Sequence, residues 1–245
     1  MKKLRRITEA EVIAEFLQGE FFHKEFDVNR ERFAEVVTRP DLTSEAENEL
    51  RRALFFRRRD TLWWELPDDR QWWEIEFEPA DVERVSVFPR EHWRKLARGN
   101  FKAQYVAEQA RREIAQRRDE FAAKMTAIVS GLQSSTSKGM IAFLGLDENH
   151  RVTLLEGNHR FVASLLAPEK NLLAGVRMVA VFSPQMEKCC WYKTSFGTLF
   201  RCLKNRIQHY WDRDPDVAAL LQQAAGFRSA GMSVERPGPV KSRIV

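Results

Sequence analysis

Residues 140–166 read MIAFLGLDENHRVTLLEGNHRFVASLL, and the punctuation of this stretch decides the fold. Residues 140–146 form an apolar run of strand length. Asp147, Glu148, Asn149 and His150 supply turn chemistry, because short polar side chains there bond back to their own backbone. Residues 151–156 are a second strand, antiparallel to the first if the turn closes a hairpin. Gly157 then separates strand from helix, HRFVASLLA starts the helix, and Pro168 comes just after it.

One tetrapeptide occurs twice, as ENHR at 148–151 and GNHR at 157–160. The hairpin separates the two. In the first, His150 is a solvated turn residue. In the second, the glycine lets the backbone turn tightly where a strand gives way to a helix. The free N–H groups of the helix start, the helix dipole, His159 and Arg160 then converge on one spot. Such a spot favours an anion, phosphate above all. A capped junction in which Arg160 pairs with Glu156 and no ligand binds is the competing reading.

Upstream of the hairpin, residues 102–133 have helix-forming composition without proline, and one long helix or two shorter ones would satisfy the apolar stripe of Tyr105, Ile114, Phe121, Met125 and Ile128. The SSTSKG segment at 134–139 breaks the pattern. Its Ser137 and Lys138 could touch phosphates, although the spaced glycines of a P-loop are missing. Trp63, Trp64, Trp72, Trp73 and Trp93 crowd into 31 residues. They are expected to anchor a helical arm on a sheet, rather than to stack bases. WEIEFEP alternates Trp73, Ile75 and Phe77 with glutamates, the period of a half-buried strand, and VERVSVF is expected to continue it. Thr8 with Glu11, and Ser44 with Glu47, look like helix caps. Leu50, Ala53 and Leu54 give a core stripe, and Arg51, Arg52, Arg57, Arg58 and Arg59 a solvated face.

Downstream, residues 176–182 read as a strand and FGTLFRCLKNRIQHYW as a helix. Asp214 and Pro215 mark another helix start. The tail from 227 is expected to be loosely ordered. Cys189, Cys190 and Cys202 read as reduced structural thiols, with no histidine at metal-like spacing beside them.

The 245 residues carry a net charge of +5 with 44% hydrophobic content, ordinary for a globular protein. No apolar run reaches the roughly 20 residues that span a bilayer. The basic start MKKLRRITEAEV has no apolar stretch or cleavage site after it, so a cytoplasmic location and no membrane partner are expected. The basic balance permits nucleic acid as a partner without requiring it.

The strand–turn–strand–EGNHR–helix order of residues 140–166 resembles the core of the ParB/sulfiredoxin-like superfamily, whose members carry GERR, DGHHR or GCHR at this junction. The resemblance is plainest over roughly 30 residues and extends from about Glu74 to Ser183. It implies an α+β fold. A small mixed ParB/sulfiredoxin-like sheet with helices (71–185) would follow a helical N-terminal arm (1–70) and precede a helical C-terminal extension (186–226) and the tail (227–245).

For function, the resemblance implies nucleotide-phosphate binding by Gly157, Asn158, His159 and Arg160. Glu156 stands at the acidic position of the kinase-like members, where it would place Mg²⁺ or polarise a hydroxyl, and His159 joins it as a catalytic candidate. Asn158 replaces the cysteine of the sulfiredoxin-like members, which argues against sulfinic-acid reduction. No second arginine motif or helix-turn-helix of the partition proteins follows. What the resemblance implies most concretely is ATP, or another nucleotide with Mg²⁺, donating phosphate to a small hydroxylated acceptor. The catalytic carboxylate of such members lies about 40 residues upstream of the motif, where Asp119 and Glu120 stand here. A non-catalytic nucleotide- or DNA-binding regulator is the alternative, as is a ParB-like nuclease with Glu156 and Asp147 on a metal. The oligomeric state stays open.

Overall fold

The structure, a computed structural model, describes residues 1–211 apart from 22, 117–119, 135–138 and 171. Asp119, Ser137, Lys138, the Asp214–Pro215 helix start and the tail therefore lie outside the described residues.

The fold is α+β, built on a mixed six-stranded sheet. The strands are β1 (Lys2–Ile7), β2 (Gln71–Glu76), β3 (Val85–Ser86), β4 (Met140–Gly145), β5 (Val152–Glu156) and β6 (Arg177–Phe182), in the spatial order β1-β2-β6-β4-β5-β3. The hairpin read from the sequence is present: β4 and β5 pair antiparallel, Leu144 opposite Thr153. β6 runs parallel to β4 and antiparallel to β2.

Both faces of the sheet are covered, which explains the continuous apolar runs of its central strands. Met140, Ala142 and Leu144 of β4, with Val179 and Val181 of β6, point to one face. There they meet α1 (Glu9–Glu20), α2 (Arg30–Thr38), α3 (Glu45–Trp63) and residues 186–202. Ile141, Phe143, Met178 and Ala180 point to the other. That face carries α4 (Glu91–Ala97), α5 (Ala103–Gln116), α6 (Glu120–Ser134) and α7 (Asn158–Leu166). The last described helix, α8 (Phe196–Trp211), buries Cys202 but leaves Phe196, Leu199, Phe200, Leu203 and Ile207 exposed. Among the described residues no helix is long and apolar enough to cross a membrane.

Two of the five tryptophans anchor the arm as expected: Trp63, closing α3, stacks on Trp72 of β2 with ring centroids 5.2 Å apart, whereas Trp93 lies in the core of the other face. Burying a large apolar side chain is worth roughly 1.5–3 kcal/mol. The 102–133 segment resolves into two helices, α5 and α6. Thr8 caps α1 through its Oγ1, which accepts from the Glu11 amide at 3.1 Å. Ser44 does the same for Glu47 at 3.3 Å.

Three expectations are corrected. Residues 2–7 do not belong to a purely helical arm; they form the edge strand β1, paired with β2. VERVSVF does not continue the alternating strand, because Pro79–Arg84 is a 3₁₀ helix and β3 is two residues long. The arginines of α3 do not all lie on a solvated face. Arg51 is fully buried, where Nη1 donates to Val36 O and Nη2 to Asp41 O, at 3.0 and 2.8 Å. The end of α2 leaves carbonyls without helical partners, and a buried guanidinium supplies the donors.

Candidate functional site

The junction between β5 and α7 is shaped by what cannot fit there. Glu156, the last residue of β5, lies opposite Ala142 of β4. The chain then reverses at Gly157, in the left-handed region at φ +82°. A Cβ at this position would stand 2.8 Å from Ile141 Cγ1 and 3.2 Å from Ile141 Cα. Only glycine lets α7 begin this close to the neighbouring strand. Gly157 is also the N-cap of α7 and offers no side chain to its first amides.

Around that helix start the four polar residues of the motif divide their work. Glu156 Oε1 accepts from the Gly157 amide at 2.9 Å, so its carboxylate lies against the turn itself. Asn158 Oδ1 accepts from the Phe88 amide at 2.8 Å, tying α7 to the segment after β3. The ring of His159 meets Trp93 of α4 at a centroid distance of 4.9 Å. Arg160 Nη1 donates to Met140 O at 2.7 Å. Its guanidinium lies flat against Gly139, whose own φ is +68° and where a Cβ would be 3.1 Å from Arg160 Cζ. Gly139 thus makes room for the guanidinium, and Gly157 lets the helix start beside it. The Arg160 cation and the aligned N–H dipoles favour an anion here, and the Glu156 carboxylate on the Gly157 amide partly offsets them.

Of the residues singled out in the sequence, Glu156, Gly157, Asn158, His159 and Arg160 come together. The pairing of Arg160 with Glu156 imagined for a ligand-free junction is replaced by the bond to Met140 O. Glu120 is exposed and opens α6. Its neighbour Phe121 packs on Trp93 at 6.3 Å, and Trp93 in turn packs on His159, so one row of rings links the start of α6 to the start of α7. Sequence reasoning missed Trp93 as a wall of the site. The sequence grouped it with the tryptophans expected to anchor the arm, and only the packing of α4 on α5 shows where it goes.

Asp147 does not join this group. It sits at the far end of β5, where its carboxylate accepts from the His150 ring at 2.8 Å and from the Asn149 amide at 2.7 Å. Those hydrogen bonds, the His150 one first, hold it below the ordinary carboxylate range. At about 3.3 Å per residue, the four steps from Val152 to Glu156 put ~13 Å between the two ends of β5. Glu156 and Asp147 therefore do not share a metal, which removes the carboxylate pair expected for a nuclease. His150 is an exposed turn residue, as read.

Comparison of the chain with protein-family models, with curated proteins and with solved structures yields no match.

Proposed function

We propose that the β5–α7 junction binds the phosphates of a nucleotide. The observation that carries this reading is the start of α7: a left-handed glycine with no capping side chain, flanked by a guanidinium that Gly139 and Met140 O hold in place. Amides at a helix start with an adjacent arginine form a ready anion site, and a planar guanidinium suits phosphate oxygens. The resemblance to the ParB/sulfiredoxin-like superfamily supports the same site from the residue pattern EGNHR.

In its enzymatic form the site transfers phosphate from ATP to a small hydroxylated acceptor. A single carboxylate at the phosphate site fits magnesium, which is commonly bound by one or two carboxylates and the nucleotide's own oxygens. Glu156 is that carboxylate, and His159 and Arg160 would hold the phosphates. Glu120 opens α6 near the other end of the Phe121–Trp93–His159 row, so an acceptor would have to bridge that row for this carboxylate to receive its hydroxyl proton. In its non-enzymatic form the same site binds nucleotide as a regulator, with DNA as a further partner.

Thermal-shift and calorimetric titration of the full chain with ATP, ADP and CTP in the presence of Mg²⁺ tests the reading. One nucleotide is expected to stabilise the wild type, and Arg160→Ala to lose the effect. Stabilisation of both proteins alike, or of neither, rejects the site. Loss of product formation in Glu156→Ala with binding retained would mark the enzymatic form.

A further inference from the structure

The opposite face of the sheet carries a second group of chemistry-bearing side chains. Glu65 follows α3, Cys190 lies just beyond a short 3₁₀ turn (Met186–Lys188), and Cys202 belongs to α8. Each offers one ligand atom, and the carboxylate oxygen and both sulfurs lie within 4.8 Å of one another. All three residues are buried, Glu65 with only 3% of its surface exposed. Its Oε1 accepts from Asn205 Nδ2 at 3.3 Å, and its Oε2 is buried with no partner stronger than the neighbouring Cys202 thiol. A carboxylate oxygen left this way costs about 1–3 kcal/mol or more, so its retention next to two thiols asks for an explanation.

We propose that Glu65, Cys190 and Cys202 form a binding site for a soft divalent cation, zinc being the type. Two sulfurs and one carboxylate oxygen are a donor set zinc accepts, and three protein ligands leave one tetrahedral position open. At ~2.3 Å per zinc–sulfur bond, two sulfurs on one ion stand roughly 3.8 Å apart, within the spread seen here. Binding breaks the two S–H bonds and forms two sulfur–metal bonds. Two protons leave to solvent, nothing is oxidised or reduced, and Glu65 Oε2 exchanges a weak thiol neighbour for the ion. Two thiolates, a carboxylate and a divalent ion sum to one negative charge. Arg206, one turn beyond Cys202 and packed over the Trp191 ring at 5.9 Å, opposes that charge. Asn205 then orients Glu65 from outside the coordination shell.

The ligands come from three separated segments, so the ion would fasten α8 to the end of α3. Cys189 is the internal control. It is buried beside Cys190 but does not belong to the cluster.

The test uses the full chain, chelator-stripped and kept reduced, titrated with Co²⁺ alone and followed by absorption. A near-ultraviolet thiolate-to-cobalt band saturating at one equivalent is expected, with tetrahedral bands in the visible, bleached by added Zn²⁺. Cys190→Ser and Cys202→Ser should each halve the charge-transfer intensity, and Cys189→Ser should leave it unchanged. Glu65→Gln should keep the sulfur band while weakening affinity about tenfold or more. A folded, reduced wild type that gives no such band overturns the proposal, whatever the variants do. So does a band that persists at full strength in both serine variants, or one that fails in Cys189→Ser while Cys202→Ser keeps it.

Discussion

At φ +82°, Gly157 holds a backbone conformation that costs a residue bearing a Cβ about 1–3 kcal/mol. Ile141 closes the space as well, with its Cγ1 2.8 Å from where that Cβ would be. Gly157→Ala is therefore expected to lower the unfolding free energy by about 1–3 kcal/mol. Urea denaturation checks it, through a lower midpoint at unchanged slope. A variant as stable as the wild type would mean that the strand-to-helix junction relaxes freely and does not position its motif. The need for glycine was legible in EGNHR, since an abrupt change from strand to helix asks for it. The contact with Ile141 was not, because no local pattern reports which strand lies alongside. Asn158 teaches the same lesson: its type suggested ligand binding, while its oxygen is engaged by the Phe88 amide from 70 positions away.

Among the elements, α3 shows how a helix is placed by a charge as well as by its apolar stripe. Leu50, Ala53 and Leu54 are buried as their spacing requires, and Phe55 packs edge-on against Phe16 of α1 at 4.9 Å. Arg51 lies on that inner side too and binds the carbonyls of Val36 and Asp41. Arg51→Met removes these donors and leaves buried acceptors without them. A loss of about 3 kcal/mol or more is expected by urea unfolding, against ~0.5 kcal/mol for the exposed Arg52→Met. Equal effects in the two variants would show that the buried guanidinium adds nothing specific. The sequence could not separate these arginines, because carbonyls waiting at the end of another helix leave no mark on residue 51. Strand β1 was hidden for a related reason. Of KKLRRI only Ile7 is buried, so the strand has ladder bonds but almost no apolar alternation. β4 and β6, covered on both faces, were plain.

At the scale of the whole molecule, one ionic cluster joins elements that are distant in the chain. Arg177 of β6 reaches Glu11 and Glu15 of α1, and Glu74 of β2 at 3.0 Å. Arg5 of β1 adds a bond to Glu11 at 2.5 Å and pairs with Glu74 at 2.8 Å. The hydrogen bond from Arg5 first, and those from Arg177, hold the Glu11 carboxyl below its ordinary value against the opposing effect of burial. A carboxyl lowered on folding stabilises the protein above its unfolded value, and that contribution is lost as pH falls through the folded one. Stability should therefore fall from mildly to strongly acid pH. Glu11→Gln, less stable at neutral pH, should show a shallower fall. Asp41, Asp69, Asp81, Asp147 and Glu148 are lowered too, so the slope is reduced and not abolished. Urea midpoints across that range measure it, and parallel curves for the two proteins would remove Glu11 from the account.

The sheet order has a consequence for synthesis on the ribosome. Among the described residues β6 is the last strand in chain order, yet it lies between β2 and β4. Without β6 no ladder joins the β1–β2 pair to the β3–β5–β4 group, and β2 and β4 would each present an unpaired edge to other chains. β6 works as a zipper between two groups of strands that precede it in the chain. A nascent chain stalled anywhere before it presents a sticky intermediate, and the cell must either finish the chain quickly or shield it.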